Sequence, residues 1–114
     1  MKKIVLLVLA CLFSFTMVAQ EKKSKSKKVE FKVAGNCGMC EKRIEKAAFS
    51  VKGVKSAEWH SDHGVIHLII DETKCSSKDV AEAIALIGHD TEFVKAKDAT
   101  YNNLHGCCLY ERME

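Results

Sequence analysis

Apolar and charged residues alternate over residues 29–33. Such an alternation predicts a β-strand with one buried face. After Gly35 the apolar residues recur at helical spacing over residues 39–52, so that they share one side of a helix. Gly53 follows directly and is the expected end of that helix.

A second strand and a third strand are predicted on either side of a short polar segment. Residues 54–60 form the second strand, and residues 61–64, with sequence Ser-Asp-His-Gly, form a hairpin turn. Residues 65–70 are nearly all apolar, which predicts a third strand in the centre of the sheet.

The second half closes with another helix and a short strand. The helix begins at Ser76 or Ser77 and ends at Gly88, and residues 91–94 are the predicted fourth strand. The order over residues 29–96 is therefore β-α-β-β-α-β. Right-handed crossovers fold this order into an α+β, ferredoxin-like sandwich, a four-stranded antiparallel sheet with two helices on one face.

The N-terminal segment has the pattern of an export signal. Two lysines precede an apolar stretch, and small residues end it at Ala19, so residues 1–19 are predicted to be a signal peptide cleaved before Gln20. The alternatives are a membrane anchor, which needs about 20 apolar residues, and lipidation at Cys11. Cleavage predicts a periplasmic or secreted protein without stable membrane insertion.

Two segments flank the predicted domain. Residues 20–28 form a Lys-rich linker, interpreted as a solvated tether rather than as a segment that binds an anionic membrane. Residues 97–114 form a C-terminal extension that contains cysteines. The 114 residues allow one domain, and a net charge of only +3 argues against nucleic acid as a partner. The sequence contains no acid–base constellation, so the chain is not expected to be an enzyme.

Cysteine chemistry offers the clearest functional signal. The sequence has six cysteines and no proline, and Cys37 and Cys40 form a CxxC motif between the first strand and the first helix. Two thiolates at this spacing converge on one soft cation, and the helix N-terminus favours the thiolate form. Two sulfur ligands suit Cu(I) or Hg(II) better than a closed zinc site, which needs four ligands. The alternative is thiol–disulfide exchange by the same pair, although thioredoxin-like catalysts place a cis-proline beside theirs.

These features together resemble the heavy-metal-associated domain family, which includes small copper chaperones, the N-terminal modules of copper-transporting ATPases and periplasmic mercury-binding proteins. The resemblance covers residues 29–96 and rests on the element order, the CxxC in the first loop, Gly53-Val54 and the end of the second helix at Gly88. One residue departs from the family pattern, because Gly35 stands where the family usually has a methionine packed under the metal loop.

The resemblance implies that Cys37 and Cys40 bind the metal, with Cu(I) preferred over Hg(II) or Zn(II). It also implies that His89 faces the metal loop, as an auxiliary ligand or as a hydrogen-bond donor to the site. The predicted function is therefore binding of Cu(I) and its transfer, by ligand exchange, to a metal-transporting membrane protein or an efflux component. The alternatives are a periplasmic Hg(II) scavenger and a thiol–disulfide redox protein.

The remaining cysteines leave two arrangements open. The predicted topology places Cys75 and the start of the extension at the end opposite the CxxC, which would allow a disulfide between Cys75 and Cys107 or Cys108. His105, Cys107 and Cys108 could instead form a second soft-metal site or return to the CxxC. About ten residues of extension reach roughly 33 Å when extended and roughly 15 Å when helical. The helical pattern of residues 98–104 argues against the return.

Histidines also gather around the predicted hairpin. His60, His63 and His67, with Asp62, could form a harder site for Zn(II) or Cu(II). Strand alternation could place His60 and His67 on opposite faces of the sheet, so a solvated hairpin is the preferred interpretation.

Overall fold

The structure, a computed structural model, describes residues 25–113. The predicted signal peptide at 1–19, with Cys11, lies outside the described residues, as do residues 20–24 of the predicted linker and Glu114. Among the residues that are described, no helix combines the length and the apolar character needed to cross a bilayer.

Three strands form an antiparallel sheet in the order β1-β3-β2. They are β1 (Ser26–Lys32), β2 (Val54–His60) and β3 (Val65–Asp71). β3 is central, as its apolar sequence predicts, and every second side chain along it is buried: Ile66, Leu68 and Ile70. The sheet therefore has one face in the core and one face toward solvent.

β1 begins within the segment predicted to be a solvated linker. Ser26, Lys27 and Lys28 pair with the end of β3, opposite Asp71, Ile70 and Ile69. Their polar side chains are exposed, so the pairing rests on backbone hydrogen bonds to a central strand rather than on burial of apolar surface. The composition of this segment predicts a solvated tether, but pairing with β3 makes residues 26–28 part of the sheet.

Two helices pack their apolar sides into one core with the buried face of the sheet. α1 (Gly38–Phe49) buries Cys40, Ile44, Ala47 and Ala48. α2 (Ser77–Leu86) begins as predicted, with Ser76 as its N-cap. The Ser76 hydroxyl accepts from the Asp79 backbone N–H at 3.3 Å, and the Asp79 carboxylate accepts from the Ser76 N–H at 2.9 Å.

The predicted fourth strand at 91–94 is reduced to one β-bridge, between Thr91 and Val33. The chain then turns, because the Thr91 hydroxyl oxygen accepts from the backbone N–H groups of Phe93 and Val94, at 3.2 and 2.9 Å. The described residues thus form a three-stranded sheet with two main helices, an α+β architecture compatible with a ferredoxin-like fold.

This turn decides where the C-terminal extension starts. The backbone N–H of Ala96 donates to Asp90 Oδ1 at 2.8 Å, so the chain has returned to the loop that follows α2 instead of running along the sheet. A short helix α3 (Asp98–Asn102) and a 3₁₀ turn (Gly106–Cys108) follow. The extension therefore begins at the end of the domain that carries the CxxC.

Candidate metal centre

Cys37 and Cys40 lie at the start of α1. Cys37 is the N-cap residue and has an extended backbone, with φ −142° and ψ −179°. Cys40 lies in the first turn and is fully buried, whereas Cys37 is half-buried. Their sulfur atoms are 3.9 Å apart. The predicted loop–helix junction thus presents both thiols to the same small volume.

The helix N-terminus changes the acidity of the outer thiol. The backbone N–H groups of Cys40 and then Met39 face the Cys37 sulfur and hold the pKa of this thiol below its ordinary value. The Cys37 thiolate is therefore more populated near neutral pH than an ordinary cysteine thiolate, as expected for a soft-metal ligand or a nucleophilic thiol.

A third thiol joins this pair from the C-terminal extension. The sulfur atoms of Cys37, Cys40 and Cys108 all lie within 4.8 Å of one another. Cys108 is completely buried. Burial, followed by its contact with the Cys40 thiol, raises the pKa of Cys108 to about 12. Cys108 is thus protonated until a cation displaces the proton, and a metal that binds all three sulfurs must release it.

The position of Cys108 overturns two expectations about the extension. Cys75 is buried at the other end of the domain, where its sulfur would lie 3.0 Å from a Cβ placed on Gly53. The prediction of a disulfide from Cys75 to Cys107 or Cys108 is therefore wrong, and all three cysteines are free. The expectation that the extension does not return to the CxxC is also wrong. A fourth strand would carry the chain to the far end of the domain, whereas the turn at Thr91 starts the extension beside the CxxC.

Tyr110 fixes the extension on the loop that follows α2. Its hydroxyl donates to the Gly88 carbonyl at 2.7 Å and accepts from the Asp90 backbone N–H at 2.8 Å. The Tyr101 hydroxyl in turn donates to the Tyr110 carbonyl at 2.5 Å. Arg112 forms an ion pair with the Asp90 carboxylate. These contacts place Cys108 over the CxxC as part of the packed domain.

The other two members of the predicted second site lie apart from Cys108. His105 and Cys107 are exposed, and the Cys107 sulfur is 3.7 Å from the thioether sulfur of Met39. The Cys107 carbonyl oxygen is 3.6 Å from the Cys37 sulfur. The structure therefore groups Cys108 with the CxxC pair and leaves Cys107 at its rim, instead of assembling a separate site in the extension.

His89 is completely buried behind the loop that carries the CxxC. Its Nδ1 is 2.9 Å from the Ala34 carbonyl oxygen, and its ring stacks on Tyr110 with 5.2 Å between centroids. Burial lowers the pKa of His89, which favours the neutral imidazole with its proton on Nδ1. The Nε2 atom finds no hydrogen-bond partner among the described residues. These contacts make His89 a hydrogen-bond donor to the backbone of that loop.

Trp59 explains why glycine occupies position 35. A Cβ atom on Gly35 would lie 3.0 Å from two atoms of the Trp59 ring and 3.2 Å from Cys40 Cβ. The indole N–H of Trp59 donates to the Val33 carbonyl at 3.0 Å, which fixes the ring under the loop. Trp59 therefore leaves no room for a side chain at position 35, and nothing in the local sequence pattern indicated this role.

The fold has counterparts among solved structures. Comparison with models of protein families finds no match, and comparison with curated proteins finds no relative. Eleven solved chains are similar. CopZ metallochaperone is 27% identical, with a TM-score of 0.55 over 57% of this chain and 98% of that chain.

Two further structures extend the comparison. The N-terminal domain of a potential copper-translocating P-type ATPase from Bacillus subtilis, in the Cu(I)-loaded state, is 27% identical over 64% of this chain and 92% of that chain, with a TM-score of 0.56. Oxidized MerP from Ralstonia metallidurans CH34 is 24% identical over 59% of this chain and 94% of that chain, also with a TM-score of 0.56.

These likenesses confirm the predicted resemblance to heavy-metal-associated domains, copper chaperones among them. The similar structures are a metallochaperone and metal-binding domains rather than enzymes, which agrees with the prediction that the chain is not an enzyme. The fold and the cysteine cluster together support binding of a soft metal.

Proposed function

We propose that the chain binds Cu(I) through Cys37, Cys40 and Cys108 and transfers it to a partner by exchange of thiolate ligands. The observation that carries the proposal is the convergence of three sulfur atoms within 4.8 Å. Thiolates select soft ions, and a group of three, which is all that residues 25–113 bring together here, favours Cu(I) over a closed, four-ligand zinc site.

The spacing of the sulfurs fits a three-coordinate ion. Sulfur atoms about 2.3 Å from an ion at the centre of a trigonal plane lie about 4 Å from one another. The Cys37 and Cys40 sulfurs are 3.9 Å apart. The Cys108 sulfur lies within 4.8 Å of both, so a shift of less than about 1 Å would bring it to the same spacing. Two of the similar structures, a metallochaperone and a domain in the Cu(I)-loaded state, also favour Cu(I) as the cargo.

Ligand exchange would begin at Cys37. A thiolate of the partner forms a bond to Cu(I) as the bond to one protein thiolate breaks, so that the ion keeps its charge and oxidation state throughout. Cys37 is half-buried, and its thiolate is stabilised by the helix N-terminus, whereas Cys40 and Cys108 are fully buried. Cys37 is therefore the outermost ligand and the one that a partner reaches first. The partner class that fits this chemistry is a metal-transporting membrane protein or an efflux component with exposed thiols.

We infer an exported location from the N-terminal sequence. Residues 1–19 have the pattern of a signal peptide, and an oxidising compartment would make oxidation of Cys37 and Cys40 compete with metal binding. The intact mass of the protein from fractionated cells tests this inference. A chain that begins at Gln20 and is found outside the cytoplasm supports export, and a chain that retains residues 1–19 in the cytoplasm contradicts it.

The metal proposal is tested by anaerobic Cu(I) titration of the reduced protein. We expect one Cu(I) per chain and sulfur-only coordination in the X-ray absorption spectrum. The double variant Cys37→Ser/Cys40→Ser should lose this binding, whereas Cys75→Ala, which removes a buried thiol at the far end of the domain, should retain it. Equal Cu(I) retention by the double variant and the native chain would refute the proposal.

The same experiment separates Cu(I) transfer from two alternatives. The lowered pKa of the Cys37 thiol and its 3.9 Å distance from Cys40 also suit a thiol–disulfide redox protein. A pair that retains no Cu(I) and has an oxidising reduction potential would favour the redox function. Competition with Hg(II) tests the scavenger alternative, which requires that the protein deliver Hg(II), and not Cu(I), to a dithiol acceptor.

A further inference from the structure

Three imidazole rings meet on the solvent face of the sheet, opposite the face that packs into the core. His60 ends β2, His63 lies in the hairpin turn and His67 lies in β3. Their ring centroids are 4.9 Å apart for His60 and His67, 5.2 Å for His60 and His63, and 5.8 Å for His63 and His67. We refer to these three residues as the histidine cluster.

The strand register brings the cluster together. His60 pairs with Val65, and Glu58 pairs with His67, so that all four side chains point to the same face. The intervening pair, Trp59 and Ile66, points into the core. Alternation therefore gathers His60 and His67 on one face, contrary to the expectation that it could separate them.

Each ring of the cluster has its own carboxylate. His63 Nδ1 is 2.8 Å from Asp62 Oδ1, and His67 Nδ1 is 3.1 Å from Glu30 Oε2. His60 Nε2 is 3.8 Å from a carboxylate oxygen of Glu58. A carboxylate close to one ring nitrogen favours the proton on that nitrogen and leaves the lone pair on the other, which is how many metal-binding histidines are oriented.

We propose that His60, His63 and His67 form a second metal site, for a divalent cation of borderline softness such as Zn(II). Around a tetrahedral zinc ion with Zn–N distances of about 2.0–2.1 Å, three imidazole centroids lie roughly 5 Å apart. The observed separations match this value. The free nitrogens are Nε2 of His63 and His67 and Nδ1 of His60, and they would reach a common point after the rings turn about their side-chain bonds.

The surroundings allow this rotation and select the ion. The side chains of His60, His63 and His67 are 43%, 49% and 43% exposed, so their rings can turn without displacing the core. Imidazole ligands suit Zn(II), Cu(II) and Ni(II), whereas Cu(I) prefers the thiolates. With three protein nitrogens and solvent at the fourth position, the cluster would form an open site distinct in ligand type from the thiol site.

The test is a Zn(II) titration followed by long-range ¹H–¹⁵N spectra of the histidine side chains. This readout resolves each ring nitrogen, so Zn(II) bound by the thiols does not interfere. We expect Zn(II), added to saturation, to shift the three free nitrogens of the cluster together and to leave His105 unchanged. His67→Gln should weaken this binding at least about tenfold, while the exposed control His105→Gln should not.

Failure of this proposal is distinguishable from failure of the thiol site. The variant Cys37→Ser/Cys40→Ser should show the same histidine shifts as the native chain, whatever its affinity for Cu(I). Shifts at a single histidine, shifts that persist in His67→Gln with unchanged affinity, or no shifts at saturating Zn(II) would each overturn the second site.

Discussion

Arg112 binds the carboxylate of Asp90 through two hydrogen bonds, with Nη2 2.9 Å from Oδ1 and Nε 3.1 Å from Oδ2. Asp90 is completely buried, whereas the Arg112 side chain is 26% exposed. Asp90 directly follows His89, and Arg112 lies four residues after Cys108. This bidentate pair therefore links the loop beside the metal centre to the segment that supplies the third thiol.

Removal of Arg112 should release the C-terminal extension. Arg112→Ala leaves the buried Asp90 carboxylate without its cation, and we expect the free energy of unfolding to fall by about 2–3 kcal/mol, less than for a pair buried on both sides. Urea unfolding measures the change. Lys95→Ala, which removes an exposed cation just before the extension, should stay within about 0.5 kcal/mol of the native chain. Equal effects of the two substitutions would contradict this role of Arg112.

The same pair predicts how the extension responds to acid. Burial alone would raise the pKa of Asp90, but hydrogen bonds from Arg112 and from the backbone N–H of Ala96 lower it below the ordinary value of 3.8. A depressed pKa stabilises the fold at pH values above the unfolded pKa of about 3.9, and this stabilisation is lost as the pH falls through the lower folded value.

The extension should therefore stay docked from neutral pH down to about pH 4 and detach below it. The NMR signals of Tyr110, which bonds to the Asp90 loop, report the detachment. In Asp90→Asn the docking should be weaker at neutral pH and should lack this acid transition. Detachment of the native extension between pH 7 and pH 5 would argue against control by Asp90.

Cys108 should set the coordination number of bound Cu(I). In Cys108→Ser we expect X-ray absorption to change from three sulfur neighbours to two. Cu(I) affinity should fall by at least about tenfold. Loss of a residue that merely hydrogen-bonds to a metal ligand lowers metal affinity by about that factor, and Cys108 is itself a proposed ligand. The adjacent Cys107→Ser is the matched control, because Cys107 is exposed and lies outside the three-sulfur group. Loss of the third sulfur in Cys107→Ser instead would show that the other thiol of the pair is the ligand.

His89 should act through the loop and not as a ligand. Asparagine can place a donor near the position of Nδ1 but has no atom at Nε2, so His89→Asn keeps the bond to Ala34 whereas His89→Ala loses it. We expect His89→Ala to lower the free energy of unfolding by roughly 1–3 kcal/mol more than His89→Asn. Cu(I) should keep sulfur-only coordination in both. A nitrogen neighbour in the native spectrum that both variants lose would identify His89 as a ligand.

The elements with regular patterns were predictable because each is decided by neighbouring residues. The central position of β3 follows from its continuous apolar sequence, and the start of α2 follows from Ser76 and Asp79. The CxxC motif also identified two of the three clustered thiols, because Cys37 and Cys40 are close together in the sequence. The shared face of His60 and His67 could also have been predicted from the sequence. The predicted hairpin turn at 61–64 pairs residue 60 with residue 65, and residue 67 lies on the same face of the strand as residue 65.

The path of the extension was not predictable in this way. Residues 91–94 follow the end of α2 at the place where the predicted element order calls for a strand, but the side-chain hydroxyl of Thr91 ends the pairing after one bridge. Cys108 reaches the thiol pair because Arg112 and Tyr110 bind a loop some twenty residues earlier in the chain. Contacts at that separation have no periodicity, so sequence patterns do not show them.

Gly35 and Trp59 provide a test of how tightly the metal loop is packed. In Gly35→Ala the new methyl group would lie 3.0 Å from the Trp59 ring and 3.2 Å from Cys40 Cβ, so ring or loop must move. We expect a loss of about 1–3 kcal/mol in the free energy of unfolding. Trp59 is the single tryptophan of the chain, so its fluorescence during urea unfolding reports the change directly.

Gly38→Ala is the matched control in the same loop. A Cβ atom on Gly38 meets no heavy atom within 4 Å, and Gly38 is the first residue of α1, where alanine is at least as favourable as glycine. Its stability should therefore equal or slightly exceed that of the native chain. If Gly35→Ala is as stable as Gly38→Ala, the Trp59 ring is not what excludes a side chain from position 35, because both substitutions add the same methyl group and differ in what surrounds it.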